Sequence, residues 1–185
     1  MATIVIRGGS LSAGHLVSES YVTILCHDEI LKHHTIINLS HFGDSSFEGV
    51  WQFEQVLLHK PDILILHFGM DDIYRPVYRS EFKENLVRMV QKSREGFIPH
   101  IILPTLHLVR NQYDMDAVDV FTRTVREVAL DMNCMLATVH IEWINYLFET
   151  GKSLDMLLTT DDRYPNEQGH ALIAEAIKKK LIQVL

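Results

Sequence analysis

Residues 6–15 read IRGGSLSAGH, an apolar strand pattern that runs into two glycines and then Ser10. Such a turn brings a backbone or a hydroxyl close to a bound group, and three chemistries compete for it. GSLSAGHL has the GxxxxG spacing of a phosphate-binding loop. That loop also needs a lysine on the β/γ-phosphates and a Ser or Thr on magnesium, and His15 and Leu16 occupy those two places. Neither the GxGxxG fingerprint for dinucleotides nor the GxSxG nucleophile elbow occurs. The third candidate is Ser10 as a serine nucleophile of a different type.

The elements that must hold such a serine can be read from the hydrophobic pattern. TIVIR (3–7), TIINL (35–39), DILILHF (62–68), HIILP (100–104) and CMLATV (134–139) are short apolar runs of the kind buried on both faces of a parallel sheet. Helical patterns lie between them. The first crossover helix is expected over 18–32. Ser45 or Ser46 caps a second, with Phe47, Val50, Trp51, Leu57 and Leu58 on one stripe. Ser80 caps a third carrying Phe82, Leu86, Met89 and Val90; Val118, Phe121, Val125 and Val128 mark a fourth, and Ile173, Ile177, Leu181 and Val184 a last one. A βαβ series with right-handed crossovers gives one three-layer α/β/α domain over 1–185 with a five-stranded parallel sheet. Ligands in such sheets sit beyond the carboxyl ends of the strands, so the loops 7–15, 39–46, 68–76, 104–113 and 159–166 carry the chemistry.

Four of those loops carry a shared pattern. IRGGSLSAGH follows strand-Gly-Asp-Ser-Leu-x-x-Gly with Gly9 in place of the aspartate. NLSHFGDSS, from Asn38 to Ser46, follows Asn-x-x-x-x-Gly-Asp-Ser/Thr. FGMDDI follows Gly-x-Asn-Asp with Asp71 in place of the asparagine, and DDRYPNEQGH follows Asp-x-x-His-Pro-Asn…Gly-His with Tyr164 in place of the histidine. The chain thereby resembles the SGNH, or GDSL, hydrolases, a family of esterases, thioesterases and lysophospholipases, over nearly its whole length. The resemblance implies a flavodoxin-like fold and a small-molecule ester substrate. It also implies roles: Ser10 attacks, Asp161 orients the residue at 164, and the Ser10 N–H, the Gly43 N–H and the side chain at 71 hold the oxyanion.

Two of these positions lack the groups those roles need. A phenol with an ordinary pKa near about 10 is protonated at neutral pH, so Tyr164 cannot serve as a general base. Loss of the base costs a serine triad on the order of 10⁶ in turnover, with about 10³–10⁴ over water retained by binding and oxyanion contacts. An ionised Asp71 accepts where an amide would donate, and one missing oxyanion donor costs about 3–4 kcal/mol. A protonated Asp71 could still donate, and the adjacent Asp72 favours protonation of one of the pair. Gly9 removes a brace and leaves the turn flexible. The expectation is hydrolysis of a small acyl or acetyl ester through Ser10 that is weak or lost. The alternative is a non-catalytic protein that binds a ligand or partner in the same pocket.

Other residues compete for a role. Of eleven histidines, His15, His41 and His67 lie in or beside the strand-end loops and His107 follows the fourth strand. His67, on a strand otherwise of isoleucine and leucine, reads as a core histidine with a local partner; His170 reads as structural, and His33 and His34 as sitting at a helix end. Tyr74, Arg75, Tyr78, Arg79, Arg110 and Tyr113 fall where the resemblance puts the substrate rim and suit a planar or anionic ligand, or else form an ordinary polar surface. HIE (140–142) has the H-x-E of zinc deaminases without their P-C-x-x-C, so no metal or other cofactor is expected. Cys26 and Cys134 lie far apart and read as buried small hydrophobes. A net charge of −7 argues against nucleic acid as partner, with Lys178–Lys180 a solvated helix face. No apolar run reaches the ~18–20 residues of a membrane span, and the opening MATIVIRGG lacks a basic leader, so a cytoplasmic location is expected.

Overall fold

A computed structural model describes residues 1–185. Its elements are β1 (Thr3–Gly8), α1 (Ser10–Ala13), α2 (Tyr21–His27), β2 (Thr35–Asn38), α3 (Ser46–Trp51), α4 (Glu54–Leu58), β3 (Ile63–His67), α5 (Met70–Tyr74), α6 (Arg79–Glu95), β4 (His100–Pro104), α7 (Gln112–Asp131), β5 (Met135–Ala137), α8 (Val139–Thr150) and α9 (Glu167–Leu181). All strand pairs are parallel, in the order β2-β1-β3-β4-β5.

Successive side chains of a strand point to opposite faces, and here they feed two separate cores. Val5, Leu64, Leu66, Ile101 and Leu103 join Phe82, Met89, Phe121 and Val128 on one side. Ile4, Ile6, Ile63, Ile65 and Ile102 join Tyr21, Trp143, Ile173 and Ile177 on the other. The sheet is therefore the middle of three layers, and its central strands are apolar at nearly every position. Register does the positioning. Gly8 pairs with His67, so the turns that follow β1 and β3 leave the sheet side by side, and Ile6 paired with Asn38 brings the turn after β2 alongside.

Several sequence expectations change on folding. The first crossover helix covers only Tyr21–His27, with Ser20 capping it through the Thr23 N–H at 3.3 Å. The second breaks in two, and Phe47, Trp51 and Leu58 are exposed because Gly49, Phe53 and Val56 take the inward positions. Gly49 is there because a Cβ would press on the Phe68 ring. Ser45 is the cap of α3, in a full capping box with Glu48. Ser80 lies inside α6, whose start has no side-chain cap. Strand β5 is cut to three residues because Val139 already opens α8. Cys26 is exposed on the α2 face opposite Tyr21, Val22 and Leu25, and Cys134 is half-buried. His33 and His34 sit in a turn, where His34 Nδ1 accepts the Ala2 N–H at 3.1 Å. Lys178 and Lys179 are paired with Asp28 and Glu142. No helix is long and apolar enough to cross a membrane.

Candidate active site

The site is built where β1, β2 and β3 end. Gly9 links β1 to α1, and Ser10 is the first residue of that short helix, wholly buried. Its N–H donates to Asp71 Oδ2 at 2.8 Å and its hydroxyl donates to Asp71 Oδ1. On the other side the Gly43 N–H donates to Ser10 Oγ at 3.0 Å. Gly43 adopts φ 77°, a left-handed conformation that suits glycine, and so turns its N–H toward the serine.

Asp71 reaches Ser10 because Gly69, at φ 126°, turns β3 sharply into α5. Burial raises the Asp71 pKa, opposed by the two hydrogen bonds from Ser10 and by the charge of Arg75; the Asp44 carboxylate adds to the rise. Gly9 has a stricter reason to be glycine than loop flexibility. A Cβ on it would collide with the Asp71 carboxylate and the Asp44 carbonyl oxygen. The aspartate expected at position 9 has no room beside the aspartate at position 71.

Arg7 and Asn85, which the sequence reading passed over, hold this arrangement together with Asp72, which it named only as a neighbour of Asp71. Arg7, wholly buried in β1, pairs with Asp44 at 2.7 Å and donates to the carbonyls of Gly8 and Leu39 and to Gln52 Oε1. It thereby fixes the turn that presents Gly43. Asp72 accepts from the Ser46 N–H at 3.0 Å, the Ser46 hydroxyl and the Gly69 N–H at 3.1 Å, tying the start of α3 to the start of α5. Burial pushes its pKa up to about 6. Asn85 completes that knot by donating to Ser46 Oγ at 3.0 Å. An arginine inside the apolar run TIVIR was the one visible signal of these roles.

Tyr164 stands beside the same serine. Burial and the Asp71 charge raise its pKa, and the Ser10 hydroxyl works the other way. The phenol therefore keeps its proton at neutral pH. Its ring meets His15 edge-on at 5.0 Å, and His15 packs on Phe42 at 4.2 Å, so Phe42–Gly43 and Tyr164 flank Ser10. Asp161 makes no hydrogen bond to the phenol, although its charge adds to the rise of the phenol's pKa. Its carboxylate accepts the Arg163 N–H at 3.3 Å and its carbonyl accepts the Tyr164 N–H at 3.0 Å, which makes it a turn residue.

No histidine is bonded to Ser10. His41 is exposed and faces Asp44 at 3.2 Å. His67 is in the core: its Nδ1 lies 3.4 Å from the Tyr21 hydroxyl, which in turn bonds Ser12 Oγ at 2.6 Å. His107 Nε2 bonds the Arg163 carbonyl at 2.9 Å, and His170 Nδ1 accepts the Tyr21 N–H at 3.2 Å. Burial pushes His67 down to about 3 and His107 and His170 to about 4, so all three are neutral at pH 7.

The expected rim is mostly internally paired. Arg75 binds Glu48, Arg79 binds Glu127, and Arg110 binds Asp155 and Asp162, so these cations brace loops and helices where an open anion site was one reading. Tyr74 is half-buried under the Arg163 guanidinium, 4.5 Å from its ring. Tyr78 and Tyr113 point to solvent. No three His, Cys, Asp or Glu side chains come together as metal ligands. A surface hollow of about 550 Å³ lies along α7 and β5 around Arg123, Arg126 and Leu136 and includes none of Ser10, Gly43, Asp71 and Tyr164.

A sequence profile described as the GDSL-like Lipase/Acylhydrolase family matches residues 8–172. Solved structures agree at the level of fold. An α/β hydrolase enzyme from the metagenome of Lake Arreo superposes with a TM-score of 0.83 at 20% identity, covering 100% of this chain and 96% of its own. Axe2, an acetylxylan esterase from Geobacillus stearothermophilus, gives 0.83 at 19% identity over 97% and 94% of the two chains. A lipase/acylhydrolase from Enterococcus faecalis gives 0.80 at 22% identity over 98% and 95%. No curated protein matches the sequence.

Proposed function

Because this chain belongs to the GDSL-like lipase/acylhydrolase family, we propose that it cleaves a small acyl or acetyl ester through Ser10, far more slowly than a serine–histidine–aspartate triad would. The observation that carries this reading is the environment of one hydroxyl. Ser10 sits at the strand end where the family places its nucleophile, yet its partners are a carboxylate and a backbone N–H, with no imidazole. An acetyl group is the natural size for a serine this enclosed, and one structural relative is an acetylxylan esterase.

One observation favours a second reading, a pocket that binds without turnover. The Ser10 N–H, a donor an oxyanion would need, is already given to Asp71. Release of p-nitrophenol from p-nitrophenyl acetate, and of thiol from short acyl thioesters, separates the two. A slow rate abolished by Ser10→Ala supports the hydrolase. Equal background rates in the two proteins contradict it and leave the binding pocket.

A further inference from the structure

Two positions around Ser10 have exchanged hydrogen-bonding sense relative to the pattern described above. Where an amide would donate, Asp71 accepts; where an imidazole would accept, Tyr164 donates. Asp71 takes the hydrogen bond of the Ser10 hydroxyl, and Tyr164 lies close enough for that hydroxyl to act on its phenol. We propose that the polarity of the site is reversed, with Asp71 as the proton acceptor for Ser10 and Tyr164 as a hydrogen-bond donor to the developing oxyanion. This rests on the reading of Ser10 as a nucleophile.

The geometry for the first transfer is already formed, since the Ser10 hydroxyl donates to Asp71 Oδ1. The charged groups acting on that carboxylate are Arg75, just past the end of α5, which stabilises its ionised form, and Asp44 and the adjacent Asp72, which oppose it. Arg7 is committed to Asp44. A buried carboxylate with more negative than positive neighbours is a better base than one in water. Tyr164 is the remaining neighbour and carries the O–H that Asp71 lacks.

The chemistry balances. Ser10 Oγ adds to the ester carbonyl carbon while its proton passes to Asp71, and the carbonyl π pair moves to oxygen, held by the Gly43 N–H and the Tyr164 O–H. That pair returns as the bond to the alcohol oxygen breaks, and the departing oxygen takes the proton from Asp71. Water then adds to the acyl carbon, giving a proton to Asp71. The bond to Ser10 Oγ breaks, the serine regains that proton, and a carboxylic acid leaves.

The reversal changes the sign of a substitution. If Asp71 only obstructed the oxyanion site, Asp71→Asn would speed the reaction. As the acceptor, its loss slows the Ser10-dependent rate by about 10²-fold or more. The test compares wild type, S10A, D71N, Y164F and the double variant D71N/Y164H, with thermal melts to verify folding. Rates come from p-nitrophenyl acetate hydrolysis and from Ser10 labelling by diethyl p-nitrophenyl phosphate, read as intact mass. D71N is expected to be slow in both assays, Y164F to lower kcat about 10²-fold, and D71N/Y164H to exceed D71N. The wild-type rate is expected to fall on acidification as Asp71 takes a proton, a readout that needs no variant. D71N as fast as wild type or faster, or a wild-type rate flat between neutral and acid pH, overturns the reversal alone. Label and product that persist in S10A, or that never form, overturn the reading of Ser10 and the reversal with it.

Discussion

A single missing Cβ decides what the serine can touch. Asp71 can lie across the Ser10 N–H and hydroxyl because Gly9 leaves that space open. The two residues form a pair, and the departure at 9 makes physical sense only with the departure at 71. Gly9→Ala is expected to destabilise the fold by about 1–3 kcal/mol as the carboxylate is displaced. That would lower Tm by roughly 3–10 °C in calorimetry. An unchanged melt would show that the carboxylate yields freely. The four positions Ser10, Gly43, Asp71 and Tyr164 were legible in the sequence because each holds a fixed place in the shared four-block pattern; the first three follow strands of one parallel sheet, and Tyr164 lies in the turn before α9. The direction of the hydrogen bonds was not. Whether Asp71 faces the hydroxyl, the Ser10 N–H or Asp72 depends on the Gly69 turn, and a turn angle leaves no mark in residue type beyond the glycine itself.

Among the elements, the turn that presents Gly43 rests on the buried Arg7–Asp44 pair at 2.7 Å. Removing one member of such a pair leaves the other charge buried and costs about 3–5 kcal/mol. Arg7→Met and Asp44→Asn should each lower Tm by on the order of 10 °C in calorimetry, and the double variant should lose less than the sum. Full additivity would show that the pair does not act as a unit. Losing the α3 capping box in Ser45→Ala is a smaller effect, about 1 kcal/mol and a Tm drop of roughly 2–4 °C. The split between α3 and α4 was hidden for a simple reason. Phe47, Trp51 and Leu58 have the right hydropathy and spacing for an inward stripe, but period cannot say which side of a short helix the core lies on. Gly49 settles it by packing against Phe68 and Met89, a contact between elements far apart in sequence.

Across the whole molecule, three neutral histidines lie in one layer behind the site. His67, His107 and His170 have folded pKa values near 3, 4 and 4 against 6.5 unfolded, chiefly from burial. Between about pH 4 and 6.5 the unfolded chain binds protons that the folded one refuses, so stability falls as pH drops through that window. Asp72 has the opposite sign, because its raised pKa lets the folded state bind a proton first near pH 6. Asp71, also raised by burial, acts in the same direction as Asp72; the two carboxylates offset part of the histidine effect, and the net slope keeps the sign of the histidines. Urea unfolding at pH 7 and pH 4.5 should show a loss on the order of several kcal/mol, and His170→Gln should make the slope shallower. Equal stability at the two pH values would mean that these rings are already charged or open to water. The layered α/β/α fold was the most legible property of the chain, since five apolar runs alternating with amphipathic stretches admit few other arrangements. The histidine layer was less so, because His107 and His170 come from loops and helices brought together only by the sheet order. The measurement that bears most directly on the site is the ratio of Ser10 labelling rates, Asp71→Asn over wild type, at neutral pH. A ratio of about 0.01 or less is the predicted result. A ratio of one or more would mean that the carboxylate blocks the serine and does not take its proton.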